Sequence, residues 1–140
     1  MTKHIIVGVD NSATAAHAAH VAADLAVKLG GVLHIISACE DETTTEVGVG
    51  SDLLVINRSD EAADLAKAVA TAVARPGLKV DSGVRFGRPH EALIEEAKRY
   101  DDALIVVGNR RMQGAGRVLG SVANSVAHSA PCDVYVVKTT

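Results

Sequence analysis

The sequence predicts a single α/β domain over residues 1–140, with an open sheet of parallel strands between two layers of helices. The chain has 140 residues, which is the size of one domain. Short apolar runs rich in Val and Ile alternate with longer segments of helical periodicity, the pattern of consecutive βα units. Aromatic residues make up only 2% of the chain, so we expect a core of Ala, Val, Leu and Ile.

Five segments have the composition of strands. Most are continuous apolar runs, which indicate strands buried on both faces of a parallel sheet. The third alternates partly between polar and apolar residues, which predicts a half-exposed strand at an edge. His34, inside the second, is expected to be a packed neutral histidine rather than a catalyst. The predicted strands are His4–Val9, Val32–Ala38, Lys79–Phe86, Ala103–Val107 and Val134–Val137.

Four segments have helical signals, each bounded by residues that cap or break helices. In the first, His17, His20 and Asp24 belong to one polar stripe, which indicates a solvent-facing side rather than a metal site. The predicted helices are Ala13–Leu29 after the capping residues Asp10-Asn11-Ser12, Glu61–Ala74 after Ser59-Asp60, His90–Tyr100 after Pro89, and a last helix from Gly120-Ser121 to Ala130-Pro131.

The segment Cys39–Arg58 differs in character from the rest of the chain. It is acidic, rich in threonine and contains Gly48 and Gly50, so we predict one long irregular connection, variable in sequence. Connections of this length in a compact domain are usually functional lids or mobile insertions. Within it, Leu53–Ile56 is apolar and is expected to pack or pair locally.

The composition argues against several classes of partner. The net charge is -3, so no overall positive field attracts nucleic acid, and too few aromatic residues are present for a base-stacking surface. No apolar run reaches the roughly 18 residues of a membrane span, and no leader pattern precedes the first strand. Cys39 and Cys132 fit no metal or redox motif, and free thiols suit a reducing compartment. We therefore expect a cytoplasmic protein without nucleic-acid or membrane partners.

The stretch Val106–Val122 carries the strongest functional signal. A buried strand ends near Gly108, a basic glycine-rich loop follows, and a helix begins at Gly120-Ser121. Backbone amides at a helix start, an adjacent hydroxyl and guanidinium groups are the components of an anion site. The spacing matches neither a P-loop nor a dinucleotide fingerprint, and a plain basic βα connection remains the alternative. The loop itself contributes Asn109, Arg110, Arg111, Gly114, Gly116 and Arg117.

A second strand end carries compatible chemistry. Ligands of open α/β sheets bind beyond the carboxyl ends of strands, where the strand order reverses. If the first and fourth strands are neighbours, Gly8-Val9-Asp10 and Val107-Gly108-Asn109 flank one crevice. Asp10 can accept hydrogen bonds from a ribose or an adenine, and it can equally cap the first helix. The two roles are compatible.

Three motifs resemble single-domain universal stress proteins: V-G-V-D-N-S, G-R-P-H-E-A-L-I-E-E-A, and the segment from V-V-G-N-R-R to A-P-C-D-V-Y-V-V. The resemblance covers the chain apart from Cys39–Arg58. It implies five parallel strands in the order 3-2-1-4-5 and an ATP-binding branch of the family. It also implies a homodimer joined through the last strand, at Val134, Tyr135, Val136 and Val137.

The resemblance also implies binding residues. Gly108 matches the first glycine of the family's ATP motif, and Gly120-Ser121 match its last pair. Asp10 matches a nucleoside contact, Ile35 a backbone contact to adenine, and Val107 and Val122 flank the site. Arg111 stands where a second glycine is expected, and only eight residues, Met112 to Leu119, separate it from Gly120. This guanidinium either blocks a phosphate or replaces a lost amide contact.

The expected function is that of a stress-response protein that binds ATP, with or without Mg²⁺, and acts as a dimeric sensor or regulator. No pair of carboxylates accompanies Asp10, Asn109 and Ser121, so we expect no enzyme, or at most weak ATP hydrolysis. Two alternatives remain: a dimeric interaction module that binds no nucleotide, and a cyclic AMP binder, since a shortened loop suits one phosphate better than three. The sequence does not indicate a downstream partner.

Overall fold

The computed structural model describes residues 2–40, 44–49, 52–109 and 119–139, and only the backbone of residues 44–49 and 52–58. Within these residues the main sheet has five parallel strands in the order β5-β2-β1-β6-β7. Numbered along the chain, these are strands 3-2-1-4-5, which confirms the predicted fold. The elements are β1 (His4–Val9), α1 (Ala13–Leu29), β2 (Val32–Cys39), β3 (Thr44–Val49), β4 (Asp52–Asn57), α2 (Arg58–Val73), β5 (Lys79–Phe86), α3 (Pro89–Ala97), β6 (Ala103–Asn109), α4 (Ser121–Ser129) and β7 (Asp133–Lys138).

Each face of the sheet packs against one pair of helices. Alternate residues of a strand point to opposite faces, so Ile5 and Ile35 lie in the cluster under α1 and α2. Ile6 and Ile36 lie in the cluster under α3 and α4. Both faces of the central strands are therefore buried, which explains why their sequences are continuous apolar runs rather than alternating ones.

Helix α1 forms as the sequence predicts. Ser12 is its N-cap, and the Ser12 hydroxyl accepts a hydrogen bond from the Ala15 N–H at 3.1 Å. The buried face consists of alanines, which allow α1 to lie close to the sheet. Gly30 ends the helix with φ 64°, a left-handed conformation that suits glycine. The stripe that includes His17 and His20 is exposed, and no cluster of metal-ligating side chains occurs among the described residues.

The prediction of an irregular connection over Cys39–Arg58 was wrong. Thr44–Val49 and Asp52–Asn57 form an antiparallel pair, a two-stranded sheet of their own. The local pairing expected of Leu53–Ile56 is confirmed, since Leu53 lies opposite Gly48 and Ile56 opposite Thr45. Four of the six residues of β3 are β-branched, a preference for strands that its acidic and glycine-containing composition obscured.

Several element boundaries differ from the predicted ones. Helix α2 begins at Arg58, so Ser59 and Asp60 lie in its first turn rather than before it. Helix α3 begins at Pro89 and ends at Ala97, three residues earlier than its apolar pattern suggested. Strand β6 runs on to Asn109. This last difference matters for the site, because it places Gly108 within a strand instead of in a turn.

Two polar clusters of described residues lie on the α3 side of the sheet, one near the amino ends of the strands and one joining α3 to β5. His34, 3% exposed, lies with Nδ1 2.8 Å from Asp81 Oδ1 and Nε2 2.8 Å from His4 Nδ1. The Tyr100 ring stacks on both imidazoles, with centroids 4.0 Å from His4 and 4.6 Å from His34. The packed environment predicted for His34 is thus confirmed.

Glu96, 2% exposed, forms the second cluster. Its carboxylate accepts hydrogen bonds from Arg85 Nε at 2.6 Å and from the Tyr100 hydroxyl at 3.1 Å. Burial alone would raise the pKa of Glu96, but the hydrogen bond and charge of Arg85, the hydrogen bond from Tyr100 and the charge of Arg99 together outweigh it and lower that pKa. Arg85 belongs to β5, so this ionised pair ties α3 to an edge of the sheet.

Candidate functional site

A crevice opens at the carboxyl ends of β1 and β6. These strands are neighbours, with Val7 opposite Val106, and β1 pairs with β2 on its other side, so the strand order reverses here. This is the position at which ligands of open α/β sheets bind. The crevice encloses about 210 Å³. Its lining residues are Gly8, Val9, Asp10, Ser12, Thr14, Ala15, Ile36, Ala38, Pro89, Ala92, Leu93, Val106, Val107, Gly108 and Val122.

The two sides of the crevice differ in polarity. Ile36 and Ala38 of β2, together with Leu93 of α3, form an apolar side. Helix α3 packs closely here because β1 carries a glycine: a methyl group on Gly8 would lie 3.1 Å from Leu93 Cδ2. The opposite side is the polar start of α1. The crevice therefore suits a ligand with a flat apolar part and a hydroxylated part.

Asp10 lies at the polar side, and of the described lining residues it alone is ionisable. Its Oδ1 accepts a hydrogen bond from the Ser12 N–H at 2.7 Å, while Ser12 itself caps α1. The helix cap is thus Ser12, and Asp10 fixes the turn before it. The second carboxylate oxygen of Asp10 has no partner among the described residues, so it can accept a hydrogen bond from a ligand.

Gly108 is required for packing rather than for a turn. It lies within β6 rather than in a turn, and its φ is not positive. A methyl group on Gly108 would lie 2.9 Å from Thr14 Cγ2 and 3.1 Å from the Thr14 carbonyl oxygen. The glycine allows the first turn of α1 to approach β6, which brings the polar side of the crevice next to the strand end.

Asn109 and Gly120 join the two ends of the glycine-rich loop. Asn109 is 3% exposed, and its Oδ1 accepts a hydrogen bond from the Gly120 N–H at 2.8 Å. The Asn109 carbonyl accepts another from the Thr139 N–H at 3.1 Å. Helix α4 then begins at Ser121, without a side-chain cap. The Gly120 amide, which the sequence suggested for a phosphate, is already used by Asn109.

The predicted site residues therefore fall into three groups. Gly8, Val9, Asp10, Val107, Gly108 and Val122 line the crevice together. Ile35, Asn109, Gly120 and Ser121 do not line it. Arg110, Arg111, Gly114, Gly116 and Arg117 lie outside the described residues.

Ile35 illustrates the limit of a motif match. It is fully buried in the cluster beneath α1 and α2, on the face of β2 opposite to the crevice. Its neighbour Ile36 and the next residue on that face, Ala38, line the crevice instead. The alternation of strand residues would have identified this pair once the helices had been assigned to faces.

Other lining residues were missed because they come from helix starts. Ser12 and Thr14 belong to the first turn of α1, and Pro89 and Leu93 to α3. The sequence signals at these positions, a capping serine and a helix-starting proline, predicted the helix boundaries correctly. What they did not show is that both helix starts lie beside the same strand ends.

The comparison with known sequences identifies the family. Residues 1–138 match the model of the universal stress protein family. The chain belongs to this family. The Staphylococcus saprophyticus protein SSP1056, named as a universal stress protein, is 27% identical over 140 residues, which cover 98% of this chain and 84% of the relative.

Solved universal stress proteins share the fold. One, solved in complex with cyclic AMP, superposes with a TM-score of 0.67 at 27% identity and covers 99% of this chain and 98% of its own. The Archaeoglobus fulgidus universal stress protein, solved with dAMP, superposes with a TM-score of 0.64 at 22% identity and covers 99% of this chain and 98% of its own. At that identity, the likeness supports the fold alone. Over the described part of this universal stress protein, no helix has both the length and the apolarity of a membrane span.

Proposed function

We propose that this universal stress protein binds an adenine nucleotide in the crevice between β1 and β6 and acts as a cytoplasmic, homodimeric sensor or regulator in the stress response. One observation carries the proposal. The crevice lies where the strand order reverses, and it combines an apolar side with a single carboxylate, Asp10. This arrangement suits a nucleoside better than it suits a purely ionic or purely apolar ligand.

The two halves of a nucleoside correspond to the two sides of the crevice. Adenine would pack against Ile36, Ala38 and Leu93, where burial of the flat ring removes apolar surface from water. The ribose hydroxyls would lie near Asp10, whose second oxygen can accept their hydrogen bonds. Because Asp10 is negatively charged, the phosphates would point away from it, toward the start of α4.

The phosphates require positive charge that the described lining residues do not supply. The volume of about 210 Å³ is below the roughly 300 Å³ at which ligand pockets usually begin, so it accommodates the nucleoside part. Beyond it, the amide groups at the uncapped start of α4 favour an anion. In the sequence, Arg110, Arg111 and Arg117 precede that helix start and would supply the compensating charge.

Two nucleotides are candidates. ATP is favoured because Gly108 matches the first glycine of the family motif and Gly120-Ser121 match its last pair. Cyclic AMP is supported by the similar universal stress protein solved with that ligand. A loop shorter by one residue, with Arg111 in place of a glycine, fits the single phosphate of cyclic AMP more easily.

We propose binding without efficient turnover. Hydrolysis of ATP requires a residue that positions water and ligands for Mg²⁺. Asp10 would face the ribose, and any Mg²⁺ would be held mainly by the phosphates themselves. Steady ATP hydrolysis faster than about one turnover per minute, lost in an Asp10→Asn variant, would contradict this part of the proposal.

Calorimetry with ATP and with cyclic AMP, each with and without Mg²⁺, tests the proposal. We expect one site per chain and weaker binding by Asp10→Asn, because the ribose loses its charged acceptor. Asp64→Asn, on the exposed side of α2, serves as the matched control and should bind like the wild type. Absence of binding at millimolar concentrations of both nucleotides would reject the function and favour a nucleotide-independent interaction module.

A further inference from the structure

We propose that Asn109 is a positioning residue for the phosphate group of the bound nucleotide. It does not contact the nucleotide but holds Gly120, and with it the first turn of α4, beside the crevice. This inference rests on the proposed nucleotide binding and assigns Asn109 a role different from the direct contact that the sequence suggested.

The hydrogen bond between Asn109 and Gly120 is short and protected. Asn109 Oδ1 lies 2.8 Å from the Gly120 nitrogen, and only 3% of the Asn109 residue is exposed. Water therefore competes poorly for this acceptor, and loss of the acceptor would leave the half-buried Gly120 N–H without its protein partner. Asn109 and Gly120 are eleven positions apart in the sequence, so this contact sets the distance between the ends of the loop.

The sheet fixes the position of Asn109, the acceptor side of this hydrogen bond. Asn109 is the last residue of β6 and lies opposite Lys138 of β7. Its carbonyl accepts the N–H of Thr139, which is 1% exposed. The end of β6 therefore fixes the position of the Asn109 carboxamide. Through its hydrogen bond, the carboxamide holds Gly120 in place relative to that strand.

Gly120 is the residue that permits so close a contact. A methyl group at this position would lie 3.2 Å from Asn109 Oδ1, tighter than most such contacts. Gly120 also precedes the nine residues of α4, of which Val122 reaches the crevice. Because the Gly120 N–H is already bonded, the amides available to a phosphate are those that follow it in the first turn of α4.

The neutral charge of Asn109 matters as much as its shape. An aspartate has the same length and would accept the same hydrogen bond, yet it would place a negative charge close to the incoming phosphate. An asparagine satisfies the glycine amide without repelling the ligand. Two variants therefore separate the two properties: Asn109→Ala removes the acceptor, and Asn109→Asp keeps the acceptor and adds charge.

The test compares cyclic AMP with adenosine, which lacks the phosphate, by NMR titration of the full-length chain. For Asn109→Ala we expect about tenfold weaker binding of cyclic AMP, with adenosine affinity within about twofold of the wild type. Amide exchange at Gly120 should become faster. Asn124→Ala, on the exposed side of α4, is the matched control and should change none of these quantities.

The Asn109→Asp variant adds a second comparison. It should keep the slow exchange of the Gly120 amide and bind adenosine normally, but its loss of cyclic AMP affinity relative to the wild type should be larger at low salt than at high salt. Equal losses of affinity for adenosine and cyclic AMP in Asn109→Ala would show that Asn109 has only a structural role. Unchanged cyclic AMP affinity in this variant would overturn the inference. If the wild type binds neither cyclic AMP nor ATP, the proposed function itself fails, and the inference fails with it.

Discussion

Gly108 lies where β6 and α1 come closest, and its missing side chain sets that distance. Gly108→Ala would place a methyl group 2.9 Å from Thr14 Cγ2 and 3.1 Å from a backbone oxygen that cannot move alone. We expect this variant to lower the free energy of unfolding by about 1–3 kcal/mol, measured by urea denaturation. The shifted start of α1 should also weaken nucleotide binding.

Gly83→Ala is the matched control for this prediction. Gly83 also lies in a strand of the sheet, but a methyl group there would have no neighbour within 4 Å. Its stability should be equal to that of the wild type or slightly higher, because alanine restricts the unfolded chain. If the two variants were equally stable, close packing would not be the reason for a glycine at position 108.

His4 makes the stability of the fold depend on pH. Burial and the neighbouring His34 lower the pKa of His4 below its usual 6.5, and they outweigh the opposing charges of Asp81 and Asp102. The unfolded chain therefore binds a proton at this residue more readily than the folded one. The contribution of His4 to the free energy of unfolding should be constant above about pH 7.5. It should decrease as the pH falls through 6.5 toward the lowered pKa.

Urea denaturation at several pH values between 5 and 8 measures this dependence. In His4→Gln the side chain does not titrate, so the decrease over this range should be smaller than in the wild type. His17→Gln, on the exposed stripe of α1, should retain the wild-type dependence. An identical slope for wild type and His4→Gln would contradict the assignment to His4.

The contact between α3 and β5 depends on one buried carboxylate. Arg85 Nε lies 2.6 Å from Glu96 Oε2, and the Glu96 side chain is only 3% exposed. A double-mutant cycle with Arg85→Met and Glu96→Gln should give a coupling free energy of about 1.5 kcal/mol or more, as expected for a charged hydrogen bond to a buried carboxylate, with Arg85 itself 37% exposed.

The exposed pair Lys98–Glu95 is the control for this cycle. Its N–O distance, 2.9 Å, is similar, but the two side chains are 56% and 64% exposed. Its coupling should stay below about 0.5 kcal/mol because water solvates both charges. Equal coupling free energies for the two pairs would mean that burial of Glu96 does not strengthen its interaction.

At the scale of elements, the sequence predicts what depends on periodicity and on capping. The limits of α1 follow from Ser12 and Gly30, four of the parallel strands follow from their apolar runs, and β5 follows from its partial alternation. Of the pair β3–β4, only the local pairing of Leu53–Ile56 was predicted, because the acidic, glycine-containing composition of this segment resembles that of a loop. Residue patterns along the chain determine α1 and the parallel strands, whereas pairing between two segments determines the β3–β4 sheet.

The site was predictable only in part, for a related reason. Asp10 and Val107 follow from the rule that ligands bind beyond strand ends, and both line the crevice. The use of the Gly120 amide by Asn109 is a contact between residues eleven positions apart, and no local pattern indicates it. The choice of Ile36 over Ile35 depends on which helices cover which face of the sheet.

At the scale of the whole molecule, β7 forms one edge of the sheet. The Thr139 N–H points toward β6, so alternation along the strand directs the N–H groups of Val134 and Val136 away from it. Tyr135 is 45% exposed. This edge suits pairing with a second copy, as the proposed homodimer requires.

Sedimentation velocity tests the dimer. We expect the wild type to sediment as a dimer and Tyr135→Lys as a monomer, because two lysines would approach each other at the shared edge. Val27→Lys is the matched control: Val27 is 43% exposed on α1, away from β7, and the variant should remain dimeric. A monomeric wild type would reject the proposed assembly.

The bond from Asn109 to Gly120 has an evolutionary consequence. Because it joins the ends of the intervening segment directly, substitutions or length changes within that segment need not disturb β6 or α4. The entropy of closing a loop also changes slowly with its length, by about 0.6 kcal/mol for each doubling. Such a segment can change in sequence and length while β6 and α4 keep their places in the fold. Ligand preference and fold stability could then be selected separately.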